Sequence, residues 1–87
     1  MKWKKTEYII FTDNIIWLRR KYGMPKKKMA ALLGIGLWSL NQIERHQLPP
    51  RLTVAVLYNV YRHFGVSPAR LLTRRLEEEL PTGHKEA

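Results

Sequence analysis

The sequence predicts a compact all-α domain of five short helices, and three observations support this fold class. Apolar residues recur at spacings of three and four along most of the 87-residue chain, as they do on the buried face of a helix. Glycine or proline separates these periodic segments. The chain is 45% hydrophobic and has no cysteine, so a core and not disulfide bonds must stabilise it.

The first predicted helix has one apolar face and ends at Gly23. Its start has two interpretations. Thr12 and Asp13 are suitable N-cap residues, which would make residues 1–12 an N-terminal extension. The apolar periodicity begins earlier and favours a helix that starts before them. The periodic residues are Tyr8, Phe11, Ile15, Leu18 and Tyr22.

The second and third predicted helices are short, and a three-residue link separates them. Proline suits the first turn of a helix and glycine suits the residue just past its end, so Pro25 and Gly34 delimit a helix over residues 25–33. The third helix covers residues 37–45, because Pro49 and the proline after it forbid continuation. The residues expected to face inward are Met29, Leu32 and Leu33 in the second helix and Leu40 and Ile43 in the third.

Two further helices complete the predicted domain. Residues 53–64 form the fourth helix, which Gly65 ends. The fifth begins with Ser67 as N-cap and Pro68 as first helical residue, and it continues to about Glu79. The residues at core spacing are Val54, Leu57, Val60, Tyr61 and Phe64 in the fourth helix and Leu71, Leu72 and Leu76 in the fifth.

The charge of the chain indicates its class of partner. A formal net charge of +9 and a pI near 10.3 favour a polyanion. Between residues 14 and 76 the only acid is Glu44, which suggests a structural task for this carboxylate. Residues 13–80 form the folded domain, and residues 81–87 are expected to be a flexible tail.

Composition also argues against several classes of protein. No stretch has the length of a membrane span or the pattern of a signal peptide, so we expect a soluble cytoplasmic protein without membrane contact. The three histidines lack metal-ligand spacing, and no nucleophile stands in a recognisable arrangement with a base. We therefore predict no metal, no cofactor, no small-molecule ligand and no enzymatic activity.

The start of the second helix carries an unusual charge. Lys26, Lys27 and Lys28 occupy its first turn, where each cation costs roughly 0.3 to 1 kcal/mol when nothing offsets it. A phosphate at this end would neutralise the lysines and accept hydrogen bonds from the free amides. The two short helices and their glycine-containing link, at residues 25–45, are also a candidate helix-turn-helix.

Residues 13–72 contain an ordered series of short motifs. The series is Leu18-Arg19, Gly23-Met24, Met29-Ala30, Leu33-Gly34-Ile35, Leu40, Ile43-Glu44, Pro49, Phe64-Gly65-Val66-Ser67 and Leu71-Leu72. In these positions the chain resembles the lambda-repressor-like family of DNA-binding domains, of the Cro and xenobiotic-response-element (XRE) type. The resemblance implies a small bacterial or phage transcriptional regulator, such as a repressor, that binds double-stranded DNA sequence-specifically.

The resemblance also implies how the chain would contact DNA. The third helix would lie in the major groove, with four residues facing bases. The start of the second helix would abut a phosphate, and two arginines that flank the turn after the third helix would hold the next phosphates. The implied base-reading residues are Leu37, Trp38, Asn41 and Gln42, and the phosphate-binding residues are Lys26, Lys27, Ser39, Arg45 and Arg51.

Other features of the family concern the scaffold. The resemblance pairs Glu44 with Arg19, which would tie the third helix to the first. Such regulators bind pseudo-palindromic operators as homodimers. Leucines at four-residue spacing, Leu72, Leu76 and Leu80, are a candidate dimer seam or else complete the core. His46 departs from the family, because a glycine often ends the third helix at this position.

Two other functions are compatible with parts of the sequence. Leu37 and Trp38 are less polar than typical base readers, so the helix-turn-helix could dock a protein instead, as an antitoxin-like or anti-repressor-like adaptor. A membrane-surface helix would use Trp3, Trp17 and the lysines near the N-terminus. This second alternative is disfavoured, because the core needs the apolar stripe and two acids interrupt the basic face.

Overall fold

The computed structural model describes residues 3–50, 52 and 54–79. Every regular element in this part of the chain is an α-helix, so the all-α prediction is confirmed. None of these helices is both long enough and apolar enough to cross a membrane. The six helices are α1 (Lys5–Lys21), α2 (Lys26–Leu33), α3 (Leu37–Glu44), α4 (Val54–Phe64), α5 (Pro68–Thr73) and α6 (Leu76–Glu79).

Helix α1 begins at Lys5, well before Thr12 and Asp13, the two candidate N-cap residues. Its N-cap is Lys4, whose backbone amide donates to Oε1 of Glu7 at 3.0 Å. Thr12 lies inside the helix and is fully buried, and its hydroxyl donates to the carbonyl of Ile9 at 2.9 Å. Residues 5–12 are therefore part of α1 and not an extension, as the apolar periodicity favoured.

The core forms where α1 meets the shorter helices. Helix α1 packs against α3, α5 and α6, while α2 packs against α3 and α4. Side chains from every helix meet in this one cluster, so the position of α3 depends on the whole domain. The buried apolar residues are Phe11, Ile15, Leu18, Met29, Ala30, Leu33, Leu40, Ile43, Val56, Leu57, Val60, Val66, Leu71 and Leu76.

The predicted continuous fifth helix is wrong. Helix α5 ends at Thr73, Arg74 is extended with φ −133° and ψ 135°, and a separate helix begins at Leu76. The buried side chain of Asn14, on the adjacent helix α1, bonds the backbone groups on both sides of this break. Its Nδ2 donates to the carbonyls of Leu71 at 2.9 Å and Arg74 at 2.8 Å, and its Oδ1 accepts from the amide of Leu76 at 2.9 Å.

Leu57 and Val60 of α4 are buried as predicted, but the inward face is rotated from the predicted one. Val54 and Tyr61 were expected in the core, but both are exposed. Val56 lies inward beside Leu57 and Val60 instead. Tyr22, at the end of α1, is also exposed and makes a tilted ring contact with the half-buried Phe64 at 5.5 Å. The apolar pattern therefore predicted the helix but not its rotation.

The link between α2 and α3 offers a matched pair of glycine substitutions. Gly34 has φ +75°, and an added Cβ would lie 3.1 Å from Nδ2 of Asn59, which donates to the carbonyl of Leu33. Gly36 has φ −79° and no atom within 4 Å of an added Cβ. We expect Gly34→Ala to lower the free energy of unfolding by about 1 to 2 kcal/mol, because alanine is strained at positive φ.

Gly36→Ala is the control for this substitution, and we expect a change within about 0.5 kcal/mol. Urea denaturation followed by circular dichroism measures both variants. Equal losses in the two variants would contradict the left-handed constraint at Gly34.

Candidate nucleic-acid interface

Helices α2 and α3 form a compact pair around the short link. The left-handed Gly34 ends α2, and the amide of Ile35 donates to the carbonyl of Ala30 at 3.0 Å. Ala30 is buried, and its small side chain permits the close approach of α2 and α3. Asn59 of α4 holds the last carbonyl of α2 from outside the pair. One hydrogen bond to α2 and one from α4 therefore hold the link in place.

The outer face of α3 combines exposed apolar side chains with amides. Leu37 and Trp38 are 44% and 60% exposed. Asn41 and Gln42 are half-buried on the same helix, and Ser39 is half-buried as well. The inward residues of α3, Leu40 and Ile43, are completely buried. The division of α3 into an inner and an outer face is the one that the sequence predicted.

An ion pair joins α3 to α1. Nε and Nη2 of Arg19 donate to the two carboxylate oxygens of Glu44 at 2.5 and 3.0 Å, and Nη1 donates to the carbonyl of Met24 at 3.1 Å. Only 19% of the Arg19 side chain and 11% of the Glu44 side chain are exposed. The hydrogen bond to Glu44 raises the pKa of Arg19 above its ordinary value, so the guanidinium stays charged at every pH of interest. Glu44 therefore has the structural task that its isolation in the sequence suggested.

A second polar cluster anchors the end of α3. His46 has φ +62°, the left-handed conformation in which glycine is common, and its Nδ1 lies 3.1 Å from Oγ1 of Thr12 and 3.4 Å from Oδ1 of Asp13. Arg75 pairs with the other carboxylate oxygen of Asp13. Contacts to α1 thus compensate for the absent glycine. No signal in the sequence brings Thr12 and Asp13 to His46, which is 34 residues from Thr12.

The beginning of α2 is an exposed cationic end. Lys26, Lys27 and Lys28 are all exposed, and the first turn contains no acid. The N-cap residue Pro25 supplies no side-chain hydrogen bond to the first amides. The side chain of Lys26 extends from the first turn of α2 to α3, where its Nζ donates to Oδ1 of Asn41 at 3.2 Å. The cationic end of α2 and the outer face of α3 are therefore one continuous surface.

The structure describes two of the three remaining residues that were predicted to contact DNA. Arg45 is exposed and forms the C-cap of α3. Arg51 lies outside the described residues. Ser39 lies on α3, one turn before the half-buried Gln42. The amide of Arg45 donates to the carbonyl of Asn41 at 3.2 Å, so Arg45 lies one helical turn from the residue that Lys26 contacts.

Two of the three leucines in the candidate dimer seam lie in the described residues, and both pack in the core. Leu76 is completely buried in the core of a single chain, next to Asn14, which binds its backbone amide. Leu72 is half-buried against the same core, and Leu80 lies outside the described residues. Leu76 therefore completes the core of the monomer, which is the second of its two interpretations, and its side chain is not exposed for a dimer contact.

Another apolar surface lies on α4, and the sequence pattern missed it. Val54, Tyr58 and Tyr61 follow one another at helical spacing and are all exposed. The apolar spacing predicts two of them, Val54 and Tyr61, in the core, so only the structure shows that this face is exposed. Among the residues that the structure describes, no group of three or more His, Cys, Asp or Glu side chains could hold a metal ion.

Comparison with known proteins gives no further identification. No protein-family model, no curated protein and no solved structure matches this chain.

Proposed function

We propose that the chain is a single-domain transcriptional regulator of the lambda-repressor-like type that binds double-stranded DNA sequence-specifically. The observation that carries this proposal is the continuous surface formed by the cationic end of α2 and the outer face of α3, which the hydrogen bond from Lys26 to Asn41 joins. A cationic helix N-terminus without a nearby acid is unfavourable in isolation. It becomes favourable when a phosphate accepts from its amides and neutralises its lysines.

In this proposal each side of the surface has its own task. The start of α2 and Arg45 hold phosphates, which fix the register of the protein on the duplex. Helix α3 enters the major groove, where Gln42 and Asn41 hydrogen-bond base edges and Leu37 and Trp38 pack on thymine methyl groups. The ion pair between Arg19 and Glu44 and the cluster around His46 hold α3 rigidly against α1. The regulator acts by occupying its operator, and two copies bind the halves of a pseudo-palindrome.

The salt dependence of DNA binding tests the phosphate contacts. We expect the logarithm of the binding constant to fall with the logarithm of salt concentration by about 0.9 for each phosphate contact. Lys27→Met should therefore flatten the slope by about 0.9. Lys5→Met removes the same charge from the exposed first turn of α1 and should leave the slope nearly unchanged. Fluorescence anisotropy with random-sequence duplexes measures all three proteins.

Sequencing of the bound fraction tests base reading in the same experiment. Enrichment of a motif supports sequence-specific regulation, and Trp38→Ala should then alter that motif. A steep salt slope without enrichment contradicts base reading and leaves a non-specific phosphate contact. An absence of binding near physiological salt contradicts the proposal as a whole.

The exposed apolar pair on α3 favours a second candidate function. Trp38 beside Leu37 is the kind of aromatic anchor that protein interfaces bury at their centre. In this alternative the surface of α2 and α3 docks a protein, as in an antitoxin-like or anti-repressor-like adaptor. A failure to bind DNA, together with a stable complex of the chain with a protein partner that Trp38→Ala disrupts, would favour the alternative.

A further inference from the structure

An apolar surface on α4 stands apart from the residues that the proposed function uses. Apart from Leu37 and Trp38 of α3, the large apolar side chains that are exposed in the described part of the chain lie on α4 or at the end of α1. Val54, Tyr58 and Tyr61 are each more than half exposed. Their spacing of four and three residues places them on one side of the helix. We call this surface the α4 face.

The α4 face continues onto the end of α1. The ring of Tyr22 lies 5.5 Å from the ring of Phe64, which is one helical turn after Tyr61. Tyr22 is itself more than half exposed, and Nζ of Lys21 lies 6.0 Å from the centre of its ring. The exposed parts of Tyr22 and of the α4 face form an apolar patch of about 400 Å². Patches of this size on single domains often serve as interaction sites.

The α4 face points away from the surface that is proposed to contact DNA. Asn59 reaches the other way, because its Nδ2 donates to the carbonyl of Leu33 at the end of α2. Successive residues of a helix are about 100° apart, so Val54 and Tyr61 lie roughly 140 to 160° around α4 from Asn59. A partner on the α4 face therefore leaves the start of α2 and the outer face of α3 accessible.

The charged residues on α4 are all basic. The helix contains no acid, and its last turn contains Arg62 and His63. Arg62 is exposed one helical turn after Tyr58, and it has no ion-pair partner among the residues that the structure describes. Lys21 adds a cation beside Tyr22. Acidic side chains around an apolar stripe would complement both the charge and the apolar surface of this region.

The spacing of the α4 face also indicates the shape of its partner. Apolar residues at intervals of four and three are the pattern through which one helix packs against another. A second copy of the chain has the right shape but the wrong charge, because α4 of each copy carries the same cations and no acid. The patch is also only about half of the roughly 800 Å² per partner that stable interfaces bury. A transient acidic partner therefore fits better than a homodimer.

We propose that the α4 face docks an acidic amphipathic helix of a protein partner. The apolar stripe of that helix packs on Val54, Tyr58 and Tyr61, and its carboxylates pair with Arg62 and Lys21. The inference goes beyond the proposed function, because this contact needs neither base reading nor phosphate binding. It gives a single-domain chain a means to respond to another protein while α2 and α3 hold DNA.

The test is selection from a phage-displayed library of random side chains on the outer face of a fixed helical scaffold. The full chain is the target, and the Tyr58→Ala, Tyr61→Ala double variant is the counter-target. We expect enriched helices with leucine or phenylalanine at intervals of three and four residues and a surplus of glutamate and aspartate. Fluorescence anisotropy with the selected helices should show about tenfold weaker binding to Tyr58→Ala, because an aromatic anchor is lost.

Matched variants serve as controls for this selection. Trp38→Ala removes an exposed aromatic side chain from α3 and should leave the affinity for the selected helices unchanged. Arg62→Glu should weaken binding of the acidic helices and strengthen binding of versions in which lysine replaces glutamate. Tyr58→Ala should bind duplex DNA as the wild type does. The substituted side chains are exposed, and circular dichroism verifies that each variant is folded.

Four results would overturn the inference. The first is that no helix distinguishes the wild type from the double variant, and the second is that the selected helices carry no surplus of acid. A dimer in sedimentation equilibrium that Tyr58→Ala dissociates would make a second copy the occupant. Binding of a single-stranded oligonucleotide that Tyr58→Ala weakens would make it a nucleic acid. All four leave duplex binding by α2 and α3 intact, whereas a wild type that binds no duplex contradicts the proposed function alone.

Discussion

Replacing Asn14 with leucine is expected to lower the free energy of unfolding by about 3 to 4 kcal/mol. The Asn14 side chain makes three hydrogen bonds, to the carbonyls of Leu71 and Arg74 and from the amide of Leu76. Leucine has a similar volume but bonds none of these groups, which then lie close to the core without partners. An unsatisfied buried polar group costs about 1 to 3 kcal/mol, and the three costs are not independent.

The loss should also be uneven along the chain. Asn14 connects the end of α5 with the start of α6, so the amides of residues 76–79 should exchange with deuterium faster than those of α3 in the variant. Asn59→Ala is the comparison. Within the described residues Asn59 makes one hydrogen bond, to the carbonyl of Leu33, so the substitution should cost about 1 kcal/mol. Equal destabilisation by the two substitutions in urea titrations would contradict the special role of Asn14.

Replacing Arg19 with methionine should cost about 2 to 3 kcal/mol, because it leaves the largely buried carboxylate of Glu44 without its partner. The variant also loses the hydrogen bond to the carbonyl of Met24. For a domain of this size we expect the melting temperature to fall by roughly 10 to 20 °C. Because the pair holds α3 against α1, DNA affinity should fall as well, at temperatures where the variant is still folded.

Two further variants show whether the charge pair is the cause. Arg20→Met removes the neighbouring exposed arginine and should change the free energy of unfolding by less than about 0.5 kcal/mol. Arg19→Met combined with Glu44→Leu removes both charges and should recover part of the lost stability, since an apolar pair needs no partner for a buried charge. A double variant less stable than Arg19→Met alone would contradict this explanation.

Two regions of this small domain have opposite electrostatic properties. Around Asn14, Arg19 and His46, polar side chains are satisfied and hold the helices in place. At the start of α2, positive charge is concentrated without an acid nearby. A DNA-binding protein needs a rigidly positioned recognition helix, and it also needs positive charge that a phosphate can neutralise. The exposed aromatic face of α4 is a surface separate from both regions.

Much of the helical layout could be predicted from local signals. Proline and glycine act within a few residues of where they stand, so Pro25, Gly34 and Gly65 placed the ends of α2 and α4 closely. Glu44 is the only acid for more than sixty residues, between residues 14 and 76, and the resemblance pairs it with Arg19. The structure places these two side chains in direct contact. The inner and outer faces of α3 followed from the apolar spacing alone.

Local signals in the chain therefore set the helical class, most of the helix limits and the surplus of positive charge. The other features depend on how the helices pack. The break between α5 and α6 depends on Asn14, which is 62 residues from Leu76, and the conformation of His46 depends on Thr12. The rotation of α4 and the burial of Leu76 depend on which neighbouring helices need apolar surface. Such choices are set by contacts between distant residues, and a local pattern contains no information about them.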